Sequence, residues 1–346
     1  MGNKIGVIGD MHMREKLGYA DYFEDKRTKE KEGVLNYIVD SFKDCDSIVF
    51  LGDQLNSRNN TSEVIKEFVT FVERFSNKNV YILAGNHEKK GDGKSAIDFM
   101  KEVEKPNWHI ITDKVVGKKI GKLTTVFCPY FSKAELGVDT NEEGEKLLTA
   151  DVVGYEKPDI LFHHHAVTDT ETGGGISTSI FDEIVLPKKT LEKIYKLVVG
   201  GHVHKPQIIG RTIVSGSVFT NEVGETEKFV YTIDEETLKV ESLPLPVRPI
   251  HKLTDPTDAE LKKIKKDSIV KVELTKKIKA DELMELKEKL GKFDAYVMLE
   301  NYPTERKKVN FEDGMLDFGI ENLLTEYAKQ NKISKEKLLK AWEVVR

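Results

Sequence analysis

Five short stretches carry residues of metal-ligand type: "IGDMH", "LGDQ", "AGNHE", "FHHHA" and "GGHVH". Each follows an apolar run, and all but "FHHHA" place a Gly before the polar residues. A lone "GNH" or "HxH" is most simply a hydrogen-bonded structural histidine. Five such segments, each at the end of an apolar run, describe a site. Asp, Asn and His offer oxygen and borderline nitrogen donors without a thiolate, which suits Mn²⁺, Mg²⁺, Fe or Zn²⁺ and argues against a Cys-type structural zinc site. Two divalent metal ions are expected. A carboxylate such as Asp53 can bridge cations ~3.5 to 4 Å apart, and such a pair activates a water while stabilising charge on a phosphoryl group in line with it. His202 and His204, one residue apart, can then each reach a different ion, and the Gly pair before them permits a tight turn.

These residues need a scaffold that brings distant segments together. The runs "KIGVIG", "SIVFLG", "VYILAG", "DILF" and "KLVVGG" read as strands buried on both faces. Between the early ones, Val34, Leu35, Ile38, Val39 and Phe42, then Val64, Ile65, Phe68, Val69, Val72 and Phe75, recur at helical spacing. An α/β layered core is therefore expected, with ligands gathered at the carboxyl ends of its strands. "RTIVSGS" and "KFVYTIDEETLKVESL" predict further strands and a hairpin, so the sheet system becomes mixed. The Pro-rich "PLPVRPIHKL" marks a boundary. After it, "SIVKVEL", "ADELMELKEKL" and "AYVMLENY" predict a small βαβ module, and two short amphipathic helices are expected at the chain's end.

The bulk properties limit the remaining possibilities. The 346 residues suggest two or three units. At 39% hydrophobic and 33% charged, the chain reads as a folding, solvated protein. Its longest apolar runs fall short of the ~20 residues that cross a bilayer, and "MGNKIGVIGD" lacks a signal-peptide layout, so a cytoplasmic protein without membrane attachment is expected. Cys45 and Cys128 stand in strand-like contexts and are expected to be reduced and buried. Net charge is +3 over residues 247–346 and −8 over the remainder. A polyanionic partner must therefore be met by local patches or bound cations. Lys262, Lys263, Lys265 and Lys266 form the densest basic cluster of the βαβ module.

"GDMH", "GDQL", "GNHE", "HHHA" and "GGHVHKP" resemble the ordered motifs of the calcineurin-like metallophosphoesterase superfamily. The resemblance implies a four-layer αββα core with a di-metal site. "VSGSVFTNEVGE", followed by "KFVYTI" and "LPLPVRPIHKL", is similar to the segment that ends the nuclease core in the SbcD family, the bacterial counterpart of the Mre nuclease of the Mre/Rad DNA repair complex. The trailing module and terminal helices resemble that family's DNA-capping domain and partner dock. On this resemblance residues 1–246 are the nuclease domain, 247–312 a small α/β capping domain, and 313–346 a C-terminal helical hairpin.

Carried over by position, the resemblance implies that Asp10, His12, Asp53 and His204 hold one metal, and that Asn86, His164, His202 and the shared Asp53 hold the other. His87, beside a ligand but not one itself, is the implied acid for the leaving oxygen; histidine can hold and release a proton near neutral pH. Asn56 stands where the family often has a His that helps to place DNA, and Glu88 stands where Asp is usual, which bears on how the His87 ring is oriented. Among His163, His164 and His165 the ligand stays ambiguous, because alternate residues of a strand face opposite sides; "HHAV" aligns His164 best. Asn56 and Arg58 are candidate DNA contacts, although a solvated loop explains Arg58 as well.

The expected activity is a Mn²⁺-dependent (Mg²⁺ as the alternative) 3′–5′ exonuclease and single-strand endonuclease for DNA end processing, repair and recombination. Its expected partners are duplex ends and single strands, a second copy of the chain, and an SbcC-type coiled-coil ABC ATPase docked on residues 316–346. A phosphatase or small phosphodiester hydrolase of the same superfamily fits the motifs too, but has no need of the capping-like module. A non-catalytic scaffold is opposed by the complete set of ligand types together with His87.

Overall fold

Apolar runs become strands, and the periodic segments between them become helices, in the computed structural model. It describes residues 3–18, 24–89, 93–103, 105–172, 178, 183–220, 225, 227–265, 268–275, 280–291, 296–300, 328 and 334. The order is β1 (Lys4–Ile8), α1 (Glu24–Ser41), β2 (Ser47–Phe50), α2 (Ser62–Glu73), β3 (Asn79–Leu83), β4 (Trp108–Ile111), β5 (Val116–Ile120) and β6 (Leu123–Cys128). There follow α3 (Lys133–Leu136), α4 (Asn141–Val153), β7 (Ile160–His163), β8 (Ala166–Val167), β9 (Val185–Leu186), α5 (Lys188–Ile194), β10 (Leu197–Gly200), β11 (Gln207–Ile209) and β12 (Thr212–Val214). The chain continues through β13 (Phe229–Asp234), β14 (Val240–Pro244), β15 (Ile250–Thr254), α6 (Asp258–Leu261), β16 (Ile269–Glu273), α7 (Ala280–Gly291) and β17 (Tyr296–Glu300).

Two six-stranded sheets result, ordered β14-β13-β1-β2-β3-β4 and β11-β12-β10-β7-β6-β5. In the first, β1 to β4 run parallel and β13 closes antiparallel on β1. In the second, β12, β10, β7 and β6 run parallel, with β11 and β5 antiparallel at the edges. The mixed character expected from the late hairpin is thus present in both.

Strand alternation sorts the apolar residues into layers. Ile5, Val7, Val49, Leu51, Tyr81 and Leu83 of the first sheet meet Phe127, Ile160, Phe162, Leu197 and Val199 of the second in one inter-sheet core. On the outer face of the first sheet, Ile48, Phe50 and Ile82 pack against Val34, Ile38 and Phe42 of the α1 region and Phe68, Phe71 and Val72 of α2. The second sheet's outer residues Val126, Leu161 and Val198 pack against Leu148 and Val152 of α4 and Leu191 of α5. The layers are therefore helix, sheet, sheet, helix, a metallophosphoesterase-type αββα fold. Phe50 is ringed edge-on by Phe68, Phe71 and Phe75 at centroid distances of 6.1 to 6.3 Å, a geometry that aromatic quadrupoles favour.

Strands β15, β16 and β17 form a third, all-parallel sheet with its own cluster of Leu261, Ile264, Val270, Val272, Leu286 and Leu290. The Pro-rich stretch is therefore half connection and half strand, since Ile250–Thr254 already pairs with β16. The two helices expected near the C-terminus lie outside the described residues. Cys45 and Cys128 are buried free thiols. Among the described residues no helix is long and apolar enough to cross a membrane.

Candidate metal centre

Because β1, β2 and β3 are parallel, the loops that leave their carboxyl ends share one edge of the first sheet. These loops carry Asp10 and His12, Asp53, and Asn86 to Glu88. β7 and β10, also parallel, bring His164 and then His202 and His204 to the matching edge of the second sheet. The inter-sheet core beneath holds the two edges face to face.

Close backbone approach requires glycine here. Gly52 sits at φ 110°, and a Cβ on it would come within 2.4 Å of His164 Nδ1. At Gly85 a Cβ would fall 2.1 Å from Asp53 Oδ1. Asp53 and His202 themselves adopt left-handed φ values of 51° and 77°, strain that the surrounding hydrogen bonds must hold. The Asp53 amide donates to Glu88 Oε2 (3.1 Å), and the His202 amide donates to Asp10 Oδ1 (3.1 Å) and Oδ2 (2.9 Å).

The side chains fall into overlapping donor groups. Asp10, His12 and His204 form one, His12, Asp53 and His87 a second, and Asp53, His164 and His202 a third; within each, the donor atoms lie within 4.8 Å of one another. His12 Nε2 is 2.9 Å from His204 Nε2 and 3.8 Å from Asp53 Oδ2, while His204 Nε2 is 3.9 Å from Asp10 Oδ2. Across the site, His164 Nε2 is 3.2 Å from both Asp53 Oδ2 and Asn86 Oδ1, and His202 Nδ1 is 3.0 Å from the same Asn86 oxygen. All of the metal-ligand residues expected from the sequence therefore converge, with Asp53 between the two ends.

The histidine run separates by strand parity. Phe162 faces the inter-sheet core, so His164 points the same way, into the site. His163 Nδ1 accepts the His165 amide, and His165 Nε2 accepts the Phe131 amide at 3.2 Å while its ring stacks on Tyr130. Both are buried away from Asp53, and burial lowers their pKa values, that of His163 to about 3.

Electrostatics and tautomers fit divalent cations. His164 Nδ1 lies 2.8 Å from the Leu51 carbonyl, which can only accept, so Nδ1 carries the proton and Nε2 turns a lone pair towards Asp53 and Asn86. Burial, above all other causes, lowers His12 to about 3 and His204 to about 4, keeping both imidazoles neutral as ligands must be. Burial, followed by repulsion from Asp53, raises the Asp10 carboxyl well above its ordinary value. Burial alone would raise Asp53 too, but its place beside His164, then His12 and His87, holds it below the usual carboxylate range. Lone pairs and buried carboxylates aimed at common points are what a hard or borderline cation satisfies.

Glu88 has a different role from the one its position beside His87 suggests. It is fully buried, and its carboxylate accepts the amides of Asp53, Leu55 (2.9 Å) and Gly85 (2.7 Å), tying the β2 and β3 loops together. Burial, then Asp53, raises it to about 8 against the pull of those amides. The His87 ring is instead oriented by the Asn56 backbone, whose carbonyl is 2.9 Å from Nδ1. Asn56 thus touches the site through its main chain, whereas Arg58 is exposed on the same loop.

Three further participants were not marked as site residues by the sequence, although Glu225 ends the stretch "VSGSVFTNEVGE" and Lys228 begins "KFVYTI". Glu183 reaches His202, Glu225 Oε1 lies 3.9 Å from His204 Nδ1, and Lys228 stands beneath them. The Lys228 side chain is 1% exposed, and its Nζ donates to the His204 carbonyl (3.1 Å), Ser217 Oγ (2.6 Å) and Glu225 Oε1 (2.8 Å). Lys228→Met leaves the Glu225 carboxylate buried without this cation. It should lower stability by about 3–5 kcal/mol, read as a fall in the urea midpoint, with Glu225→Gln in the same chain recovering part of the loss. An unchanged midpoint would show that the pair is not coupled to folding.

Residues 3–206 match the calcineurin-like phosphoesterase family, well over half of the chain. The chain belongs to that family. It is a metallophosphoesterase, and the donor groups above are the residues that could hold divalent metals. A structure described as a novel archaeal phosphodiesterase is similar at 13% identity, covering 70% of this chain and 99% of that one with a TM-score of 0.34. A hypothetical protein from Pyrococcus horikoshii OT3 is similar at 13% identity, covering 70% of this chain and 87% of that one with a TM-score of 0.36. No curated protein matches the chain.

Proposed function

We propose that this metallophosphoesterase hydrolyses phosphodiester bonds of DNA, as a Mn²⁺-dependent 3′–5′ exonuclease and single-strand endonuclease of SbcD type. The observation that carries the phosphodiesterase part is Asp53, whose Oδ2 lies 3.8 Å from His12 Nε2 on one side, where His12 meets His204, and 3.2 Å from His164 Nε2 on the other, where Asn86 meets His164 and His202. In this reading Asp10, His12, Asp53 and His204 hold one ion, and Asn86, His164, His202 and Asp53 the other. When bound, such a pair supplies Lewis-acid polarisation of a phosphoryl oxygen and an activated water.

The protein's own groups do the rest. His87 is 41% exposed in its side chain, with Nε2 4.0 Å from Asp53 Oδ2 and Nδ1 donating to Asn56. With the Nδ1 proton so occupied, Nε2 is the nitrogen that can deliver a proton to the departing oxygen and then return to the neutral tautomer.

DNA as the substrate is supported by the motif resemblance and by the third sheet that follows β14. Lys262, Lys263 and Lys265 lie exposed beside α6 and suit a phosphate backbone; Lys266 is outside the described residues. On the same reading residues 1–246 are the nuclease domain and 247–312 the capping domain, the chain acts as a homodimer, and residues 316–346 dock a coiled-coil ATPase.

One comparison tests the substrate. The purified full chain is given Mn²⁺ with labelled duplex DNA, labelled single-stranded DNA and p-nitrophenyl phosphate esters in parallel. Cleavage of DNA at low enzyme concentration is expected. Turnover confined to the small esters would replace the nuclease with a phosphatase or small phosphodiester hydrolase.

A further inference from the structure

We infer that Glu183 is a positioning residue for the second donor group, fixing which nitrogen of His202 faces the site. The inference rests on the two-cation reading above. Glu183 lies two residues before β9, and its Oε1 and Oε2 are 2.8 and 2.9 Å from His202 Nε2. Both side chains are largely covered, at 17% and 12% exposure. A carboxylate can only accept, so it draws a proton to Nε2 and leaves the Nδ1 lone pair directed at Asn86, 3.0 Å away.

Three rings of the site are oriented by an acceptor at the nitrogen remote from the donor groups, and they differ in what that acceptor is. Backbone carbonyls hold His164 (Leu51) and His87 (Asn56), whereas His202 has a carboxylate. A charged acceptor makes a stronger hydrogen bond and raises the electron density of the ring, so the opposite nitrogen becomes a better ligand. His202 needs the stronger hold because its backbone sits at φ 77°, while its ring meets His164 edge-on at 5.3 Å and Tyr130 at 6.0 Å between centroids, contacts that do not choose between its two nitrogens. Its main chain is fixed by Asp10 and its ring by Glu183. The consequence is an asymmetric site, in which the end built on His202 depends on one carboxylate that never touches the ion.

Titration of the full chain with Mn²⁺, followed by calorimetry and by electron paramagnetic resonance, tests this in the wild type, Glu183→Gln and Glu183→Ala. The wild type should bind two ions. Glu183→Ala should weaken one of them 10- to 100-fold and leave the other unchanged. Glu183→Gln keeps the shape and a neutral acceptor, and should fall between. Nitrogen-15 spectra of the Mg²⁺-loaded chain should show the His202 ring, identified by its loss in His202→Gln, protonated at Nε2 in the wild type and as a tautomer mixture in Glu183→Ala. Two ions of wild-type affinity with an unchanged ring signature in Glu183→Ala would overturn the role of Glu183 alone. Fewer than two ions in the wild type would overturn the two-cation reading, and this inference with it.

Discussion

Asp53→Ala should retain neither metal ion and cleave phosphodiesters at a rate lower by roughly 10³-fold or more, since it removes the proposed ligand common to both ends of the site. Asp53 Oδ2 is 3.2 Å from His164 Nε2 and 3.8 Å from His12 Nε2, so this one carboxylate stands between both donor groups. The substitution also removes the acceptor of the His87 amide, which Asp53 Oδ1 meets at 2.8 Å, and so loosens the loop that carries the proposed acid. Elemental analysis of the purified variant reads the outcome directly. Two ions per chain in Asp53→Ala would mean that the two groups are independent. Asp53→Asn separates shape from charge, because it keeps an acceptor for the His87 amide while losing the negative charge that the cations require.

His87→Ala should give the opposite pattern, with both ions and DNA binding retained and cleavage reduced roughly 10²- to 10⁴-fold, the range for a lost general acid. The ring is the most exposed of the histidines around Asp53, and one of its nitrogens is already committed to the Asn56 carbonyl. Its donor atom nevertheless lies within metal-ligand reach of those of His12 and Asp53. Metal content measured beside single-turnover cleavage therefore decides between acid and ligand. Loss of an ion with the ring would assign His87 to coordination.

The two variants bear on residues that were visible in the sequence for a physical reason. A strand buried on both faces has to be a continuous apolar run, so Lys4–Ile8, Ser47–Phe50 and Asn79–Leu83 stand out, and the polar residues after each are marked as strand ends. Parity did less alone, since three consecutive histidines offer both faces until Phe162 is known to point into the inter-sheet core. The β5–β6 hairpin was missed because edge strand β5 is "VGKKI", largely polar and half exposed. The first strand of the third sheet was hidden among prolines, where Ile250–Thr254 reads as connection. Glu183 and Lys228 were not legible because nothing in a charged residue's neighbourhood along the chain announces that it is buried. Glu183 is 19 residues from His202 and Lys228 is 24 from His204; only the fold brings them together.

Asp10, Asp53 and Asn86 follow strands of one sheet, and His164, His202 and His204 follow strands of the other. A cation held among them is consequently a cross-link between the two halves of the sandwich, placed at the rim where the apolar core ends. Whatever free energy the chain gains in binding it adds to the cohesion of the sheets, about 2.7 kcal/mol for each ion supplied at a hundredfold excess over its Kd. Catalytic competence and mechanical integrity then draw on the same supply. A cell short of divalent metal would have an enzyme that is softer as well as idle, opening along the seam between its sheets and open first to proteolysis there.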